Sequence, residues 1–270
     1  MMEDGNPASS HLARFRIGSV PYLNSVPLTY GLENQVIFAP PSQLAGMLEN
    51  ETLDAALVSI TEALLHPGYV ILDDVAVASD GPVLSVFLAT TIPLESVNTV
   101  HCDPASLTSI NLLKVLLSSQ GIHPKWQPLK SYEEATQQEA VLLIGDPAIS
   151  FQQSNSSHQI WDLGAAWKDW TGLPFVYAVW AIREGCDDPE LLRILTHAKQ
   201  EGVAQLTTLV QNESRFDASF RKQYLGNAIR YDLGEREKLG IDYFIQQLSS
   251  RTDYEVYPPR FVKPEMTEHC

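Results

Sequence analysis

The stretch Ala140-Val141-Leu142-Leu143-Ile144-Gly145-Asp146-Pro147 joins two kinds of local structure in eight residues. Five apolar residues closed by a glycine are too few for a buried helix and read as a buried strand. Asp146 then stands as a helix N-cap, with Pro147 at the first helical position, where its missing N–H is not needed. A buried strand handing over directly to a helix is the repeating unit of an α/β sheet.

The same alternation runs outward in both directions. Toward the N-terminus the pattern predicts strands at Arg16 to Tyr22, Val36 to Ala39, Asp54 to Ser59, Val70 to Leu72 and Val83 to Thr90. Between them fall short helices at Val26 to Leu32 and Thr61 to Leu65, and one capped by Ser42 with Leu44, Met47 and Leu48 at helical spacing. After Pro93 the rhythm restarts, with a strand at Val97 to Val100, a helix at Ser106 to Ser119, a weak strand at Lys125 to Pro128 and a helix at Tyr132 to Gln138. Phe175 to Ile182 is the last clear strand, and Pro189 to Ser249 reads as three helices. This order predicts an α/β protein with mainly parallel sheets and a helical C-terminal part. Two lobes are expected: residues 16–92 plus 178–262, and an inserted lobe at 93–177, with hinge strands near Phe87 to Thr91 and Ala178 to Ile182. Residues 1–15 and 263–270 are expected to be flexible tails, fraying from Pro258 onward. A ligand would lie in the cleft, beyond the carboxyl ends of strands.

Composition narrows the partners. The 270 residues hold 18 Lys plus Arg against 33 Asp plus Glu, a formal net charge of −15, with 44% hydrophobic and 19% charged residues. Such a chain folds around a core, and its charge argues against nucleic acid and against anionic membranes. Cys102, Cys186 and Cys270 are too scattered for a disulfide framework, and with the dispersed histidines they form no zinc pattern. Met1 to Arg14 lacks the apolar core of a signal peptide and no spanning segment is present, so the expected compartment is the cytoplasm.

Five segments could carry chemistry. Gly18 to Leu28 (GSVPYLNSVPL) puts Asn24 and Ser25 just past a strand at a helix start, where amides bind anions without Lys or Arg, or where either residue simply caps the helix. In Asp80-Gly81-Pro82-Val83-Leu84-Ser85, Ser85 enters a strand and reads equally as a structural serine. Asp103-Pro104-Ala105-Ser106-Leu107-Thr108-Ser109 gathers hydroxyls at a helix start suited to a carboxylate or phosphate, unless Asp103 is itself the cap. Gly145 permits close backbone approach, and Asp146 is a general-base candidate or a plain cap. Asp162 to Trp180 is crowded with aromatic residues, which most often serve packing. GxSxG, Walker, GxGxxG and HExxH patterns do not occur.

Together the strings RIGSVPYLNSVPLTYGL, SDGPVLS, LLIGDPA and DLGAAWKDWTGLPFVYAVWA resemble the menaquinone-biosynthesis chorismate dehydratase family of the futalosine route, in order from Arg16 to Ile182. The resemblance implies the two-lobed fold of type II periplasmic binding proteins. It also implies conversion of chorismate to 3-[(1-carboxyvinyl)oxy]benzoate plus water, with no metal or organic cofactor. Asn24, Ser85 and Asp146 match catalytic positions; Ser106, Thr108 and Ser109 match hydroxyls of the second-lobe anion site; Ile144 and Gly145 match the substrate-contacting part of the IGD motif. The family's second-lobe loop commonly reads STSRTS, whereas Leu107 here replaces the arginine and Asp103-Pro104 alters the approach. The implied chemistry is a stepwise elimination whose base is Asp146 or the substrate's own side-chain carboxylate; the poverty of ionisable residues in the motifs favours the latter. Two rivals are a non-catalytic binding protein for a small carboxylate and the dihydroxynaphthoate-forming enzyme of the same pathway. The sequence leaves the oligomeric state open.

Overall fold

Runs of alternating strand and helix condense into two sheets in a computed structural model that describes residues 14–103, 105, 107–154, 157–252 and 254–264. The first sheet has strand order β11-β4-β10-β3-β1-β2, built from β1 (Ile17–Ser19), β2 (Val36–Phe38), β3 (Ala55–Ser59), β4 (Tyr69–Ser79), β10 (Phe175–Arg183) and β11 (Phe261–Val262). The second has order β7-β6-β8-β5-β9, from β5 (Val86–Thr90), β6 (Thr99–Cys102), β7 (Lys125–Pro128), β8 (Ala140–Ile144) and β9 (Gln159–Asp162). Both sheets are mixed. Parallel pairs outnumber antiparallel ones, and every antiparallel strand pair involves β5 or β10, the strands that follow the two passages of the chain between sheets.

Those passages lie upstream of the expected hinges. β5 belongs wholly to the second sheet and β10 starts in the first, so the chain crosses at residues 80–85 and 163–174 rather than at Phe87 to Thr91 and Ala178 to Ile182. The central strands β3, β5 and β8 are almost entirely buried, as their unbroken apolar runs require. β4 is far longer than Val70 to Leu72, because Asp73 and Asp74 break the apolar run without breaking the strand. Asp73 is neutralised by Lys238, and Asp74 takes φ +62° at an irregularity in the pairing with β10. β9 and β11 have too few apolar residues to stand out in the sequence. Phe261 and Val262 pair with Ile71 and Leu72, so the chain beyond Pro258 is docked and not frayed at that point.

Helix starts also differ in detail. Pro40, not Ser42, precedes the helix Pro41–Glu49, and no side chain caps it. Residues Leu23–Thr29 form a 3-10 turn in place of a helix at Val26 to Leu32. The turn packs against the C-terminal helix Pro189–Ala204, where a Cβ on Gly202 would stand 1.9 Å from the Pro27 carbonyl oxygen, so only glycine permits that contact. Among the described residues no helix is long and apolar enough to cross a membrane.

Candidate active site

β1 ends at Ser19 and delivers the loop Val20-Pro21-Tyr22 to the cleft. Ser25 turns inward, donating from Oγ to the Val20 carbonyl at 2.6 Å and the Tyr22 carbonyl at 2.8 Å, so it closes the loop and does not face a ligand. Asn24, next to it, lines the cavity. Neither residue caps the turn Leu23–Thr29, whose N-cap position is Tyr22 with no side-chain cap bond.

Ser85 follows the turn Asp80 to Leu84 and directly precedes β5. Leu84 has φ +64°, a left-handed conformation that costs a non-glycine residue about 1–2 kcal/mol. Asp162 holds the turn in place: its carboxylate accepts from the N–H groups of Val83 (3.1 Å), Leu84 (2.8 Å) and Ala165 (3.0 Å). Burial raises the Asp162 pKa, against the pull of those amides. Ser85 itself is fully buried from solvent yet borders the cavity. Its Oγ accepts the Tyr224 hydroxyl proton at 2.7 Å, and its carbonyl accepts from Gly145 N–H at 2.8 Å.

Across the cleft, Gly145 has φ +60°, and a Cβ there would lie 3.2 Å from the Tyr22 ring. The glycine is needed both for its backbone conformation and for the tyrosine packed on it. Burial first, then the charges of Asp103 and Asp146, push the Tyr22 phenol up to about 12. Asp146 does not cap a helix, because the helix Gly145–Ser154 already includes it. Its Oδ1 accepts from Leu23 N–H at 2.9 Å and its Oδ2 from Arg215 Nη1 at 2.9 Å. The same Arg215 nitrogen donates to the Pro21 carbonyl at 2.8 Å, so one guanidinium ties both sides of the cleft. Burial raises the Asp146 pKa, while the Leu23 amide and Arg215 oppose the shift. Asp146 is not among the cavity-lining residues.

The helix Leu107–Ser119 contributes two hydroxyls with different partners. Thr108 donates to Thr61 Oγ1 at 2.9 Å and accepts from Thr61 N–H at 2.9 Å, which makes it a buried strap to the first-sheet side. Ser109 borders the cavity; Ser106 lies outside the described residues. Asp103 neither caps this helix nor faces the cavity. Its carboxylate accepts from Ala105 N–H and the Tyr132 hydroxyl, each at 2.9 Å, while burial raises its pKa. The loop's added negative charge is therefore turned into the second-sheet side.

The aromatic segment divides in the same way. Trp167, Trp170 and Phe175 pack edge-to-face with Tyr243 and Phe244 of the helix Glu235–Arg251, while Tyr177 and Ala178 line the cavity. The cavity, about 620 Å³ including the part open to solvent, is bordered by Tyr22, Asn24, Ser85, Ser109, Ile144 and Gly145. No Asp, Glu, Lys, Arg or His is among its described lining residues. Such a site can hold an anion only through hydroxyls, an amide and backbone N–H groups. Sequence reasoning missed Tyr22, Tyr224 and Arg215. The last two sit on the C-terminal helical part, whose sequence carries no motif to announce them.

Comparison with known proteins bears on the same span. A chorismate dehydratase from Thermus thermophilus is 31% identical over 256 residues, 86% of this chain and 94% of its own. Another from Campylobacter jejuni is 28% identical over 233 residues, covering 83% and 89%. The ligand-binding component of an ABC-type import system from Staphylococcus aureus superposes with a TM-score of 0.65 at 14% identity, over 93% of this chain and 96% of that one. That likeness concerns the fold alone, and the fold is periplasmic-binding-protein-like, as the resemblance implied. A family model described as menaquinone biosynthesis matches residues 15–250, from just before β1 to the end of the last long helix, and this chain belongs to that family.

Proposed function

We propose that this protein is a chorismate dehydratase, a hydro-lyase that forms 3-[(1-carboxyvinyl)oxy]benzoate in menaquinone biosynthesis without a metal or organic cofactor. The observation that carries the reading is a cleft between the two sheets, lined by Asn24, Ser85 and Ser109 and, among the described residues, by no charged side chain. Family membership and two similar dehydratases support it. Each sheet with its helices acts as one lobe, and the substrate lies between them. The enzyme works in the cytoplasm on a soluble dicarboxylate.

The reaction removes a proton from the ring carbon bearing the enolpyruvyl ether and hydroxide from the neighbouring carbon, and the product ring is aromatic. Proton loss comes first and leaves negative charge delocalised onto the ring carboxylate. Hydrogen bonds from Ser85 and from the Thr108–Ser109 helix start stabilise that charge where water is excluded. Asn24 orients the substrate. Ile144 and Gly145 supply the wall on which the ring rests, and Ser106 adds a hydroxyl to the anion site. The proton acceptor is the substrate's side-chain carboxylate, because both oxygens of Asp146 are already engaged outside the cavity. Asp146 then contributes by holding the cleft closed.

Mixing purified, chelator-treated protein with chorismate and following aromatic product by chromatography tests the proposal. Product above the spontaneous rate supports it. Thermal stabilisation by chorismate without turnover would make the protein a binding protein, and indifference to chorismate would favour the dihydroxynaphthoate-forming activity.

A further inference from the structure

Tyr224 lies on the C-terminal part of the chain, outside every motif that the sequence offered. It begins a five-residue π-turn, Tyr224–Ala228, that continues the helix Ala218–Gln223, and such turns are frequent where a side chain must be re-aimed at a functional site. Its ring has no exposure to solvent and stacks on Phe220 at 5.5 Å, so its hydroxyl has one available direction. That hydroxyl donates to Ser85 Oγ at 2.7 Å. Asn24 borders the same cavity as Ser85. A phenol has a single proton, and here it is committed to Ser85.

The result is two donors in series pointing one way, from Tyr224 to Ser85 and from Ser85 onward. Ser85 Oγ accepts from Tyr224 and keeps its own proton to donate, and the side of Ser85 left for that donation is the cavity. Hydrogen bonds aligned in this manner polarise one another, so the terminal hydroxyl is a better donor to an anion than an isolated serine. We propose that Tyr224 is a positioning residue for the dehydration: it fixes the Ser85 hydroxyl as a donor toward the substrate anion. This rests on the proposed role of Ser85 in chorismate dehydration and adds a residue from the other end of the chain to it.

A double-mutant cycle on the full chain tests the assignment, with kcat and KM for chorismate and Tm measured for wild type, Tyr224→Phe, Ser85→Ala and the double variant. Tyr224→Phe is expected to lower kcat roughly tenfold while KM changes less than about threefold, the pattern of an interaction made chiefly in the transition state. In the Ser85→Ala background the same change is expected to cost less than about twofold, because the group it orients is gone. Equal costs in both backgrounds, or a Tyr224→Phe kcat within about twofold of wild type, would overturn the positioning role while leaving the dehydratase reading intact. A wild-type protein idle on chorismate, or a fully active Ser85→Ala, overturns both. If Tyr224→Phe does not fold, 3-fluorotyrosine at position 224 keeps the ring and strengthens the donor. A higher kcat would then support the proposal, and an unchanged kcat would overturn it.

Discussion

Asp146 commits its two carboxylate oxygens to Leu23 N–H and to Arg215, and both partners lie across the cleft from the helix that carries it. Asp146→Asn keeps an acceptor for one of them and removes the charge that attracts the guanidinium. The expected kcat loss is less than about tenfold, roughly 1.4 kcal/mol, with a larger rise in KM. A kcat loss of several hundredfold with KM unchanged would instead make Asp146 the base. The ionisable lining supports a second expectation. Burial pushes the Tyr22 phenol up to about 12 and the Tyr177 phenol well above its ordinary value, so no described lining group changes charge near neutrality. The kcat profile should be level between about pH 6 and pH 9, the substrate carboxylates being ionised throughout. A bell centred in that range would require a titrating protein group at the reaction centre.

At the scale of elements, two short segments position the site by unusual backbone geometry. Gly145 joins β8 to its helix in the left-handed region beneath the Tyr22 ring. Gly145→Ala forces strain and contact together, with an expected loss of about 1–2 kcal/mol in stability and a raised KM, read by denaturant titration and steady-state kinetics. The turn before β5 depends on Asp162, which sits at the end of β9 and start of the helix Leu163–Thr171. Asp162→Ala leaves the N–H groups of Val83, Leu84 and Ala165 without that acceptor and should cost about 2–4 kcal/mol. It should also weaken turnover, since Leu84 precedes Ser85 and the turn aims it.

For the whole molecule, closure depends on contacts between distant parts of the chain. Arg215 joins Pro21, Asp146 and Glu213, while Thr61 and Thr108 join the two sides at another point. Arg215→Ala is expected to raise KM several-fold, with a larger radius of gyration by solution scattering if the lobes separate. The Arg215 hydrogen bond, followed by smaller contributions from nearby amides, holds Glu213 down at about 2 against the ordinary 4.5, with burial opposing. Since the folded value is the lower one, ionised Glu213 stabilises the fold fully above about pH 4.5, and that contribution is lost as pH falls from there through about 2. Thermal unfolding across that window should therefore depend less on pH in Glu213→Gln than in wild type.

The alternation of most strands and helices and the segments that border the cleft were legible in the sequence because they rest on local signals. Unbroken apolar runs mark β3, β5 and β8, and glycines and prolines mark where the chain turns toward the cleft. Asn24, Ser85 and Gly145 stand in those segments, and the resemblance to the family singled them out. Tertiary structure decided which side chains border the cavity. Ser25, Thr108, Asp103 and Asp146 are not among the described cavity-lining residues, and their neighbours Asn24, Ser109 and Gly145 are. A residue type specifies what bonds it can make; only packing specifies where its partner stands. Tyr224 and Arg215 reach the cleft from more than sixty residues beyond Asp146, and no spacing rule connects residues brought together by the folding of opposite ends of a chain.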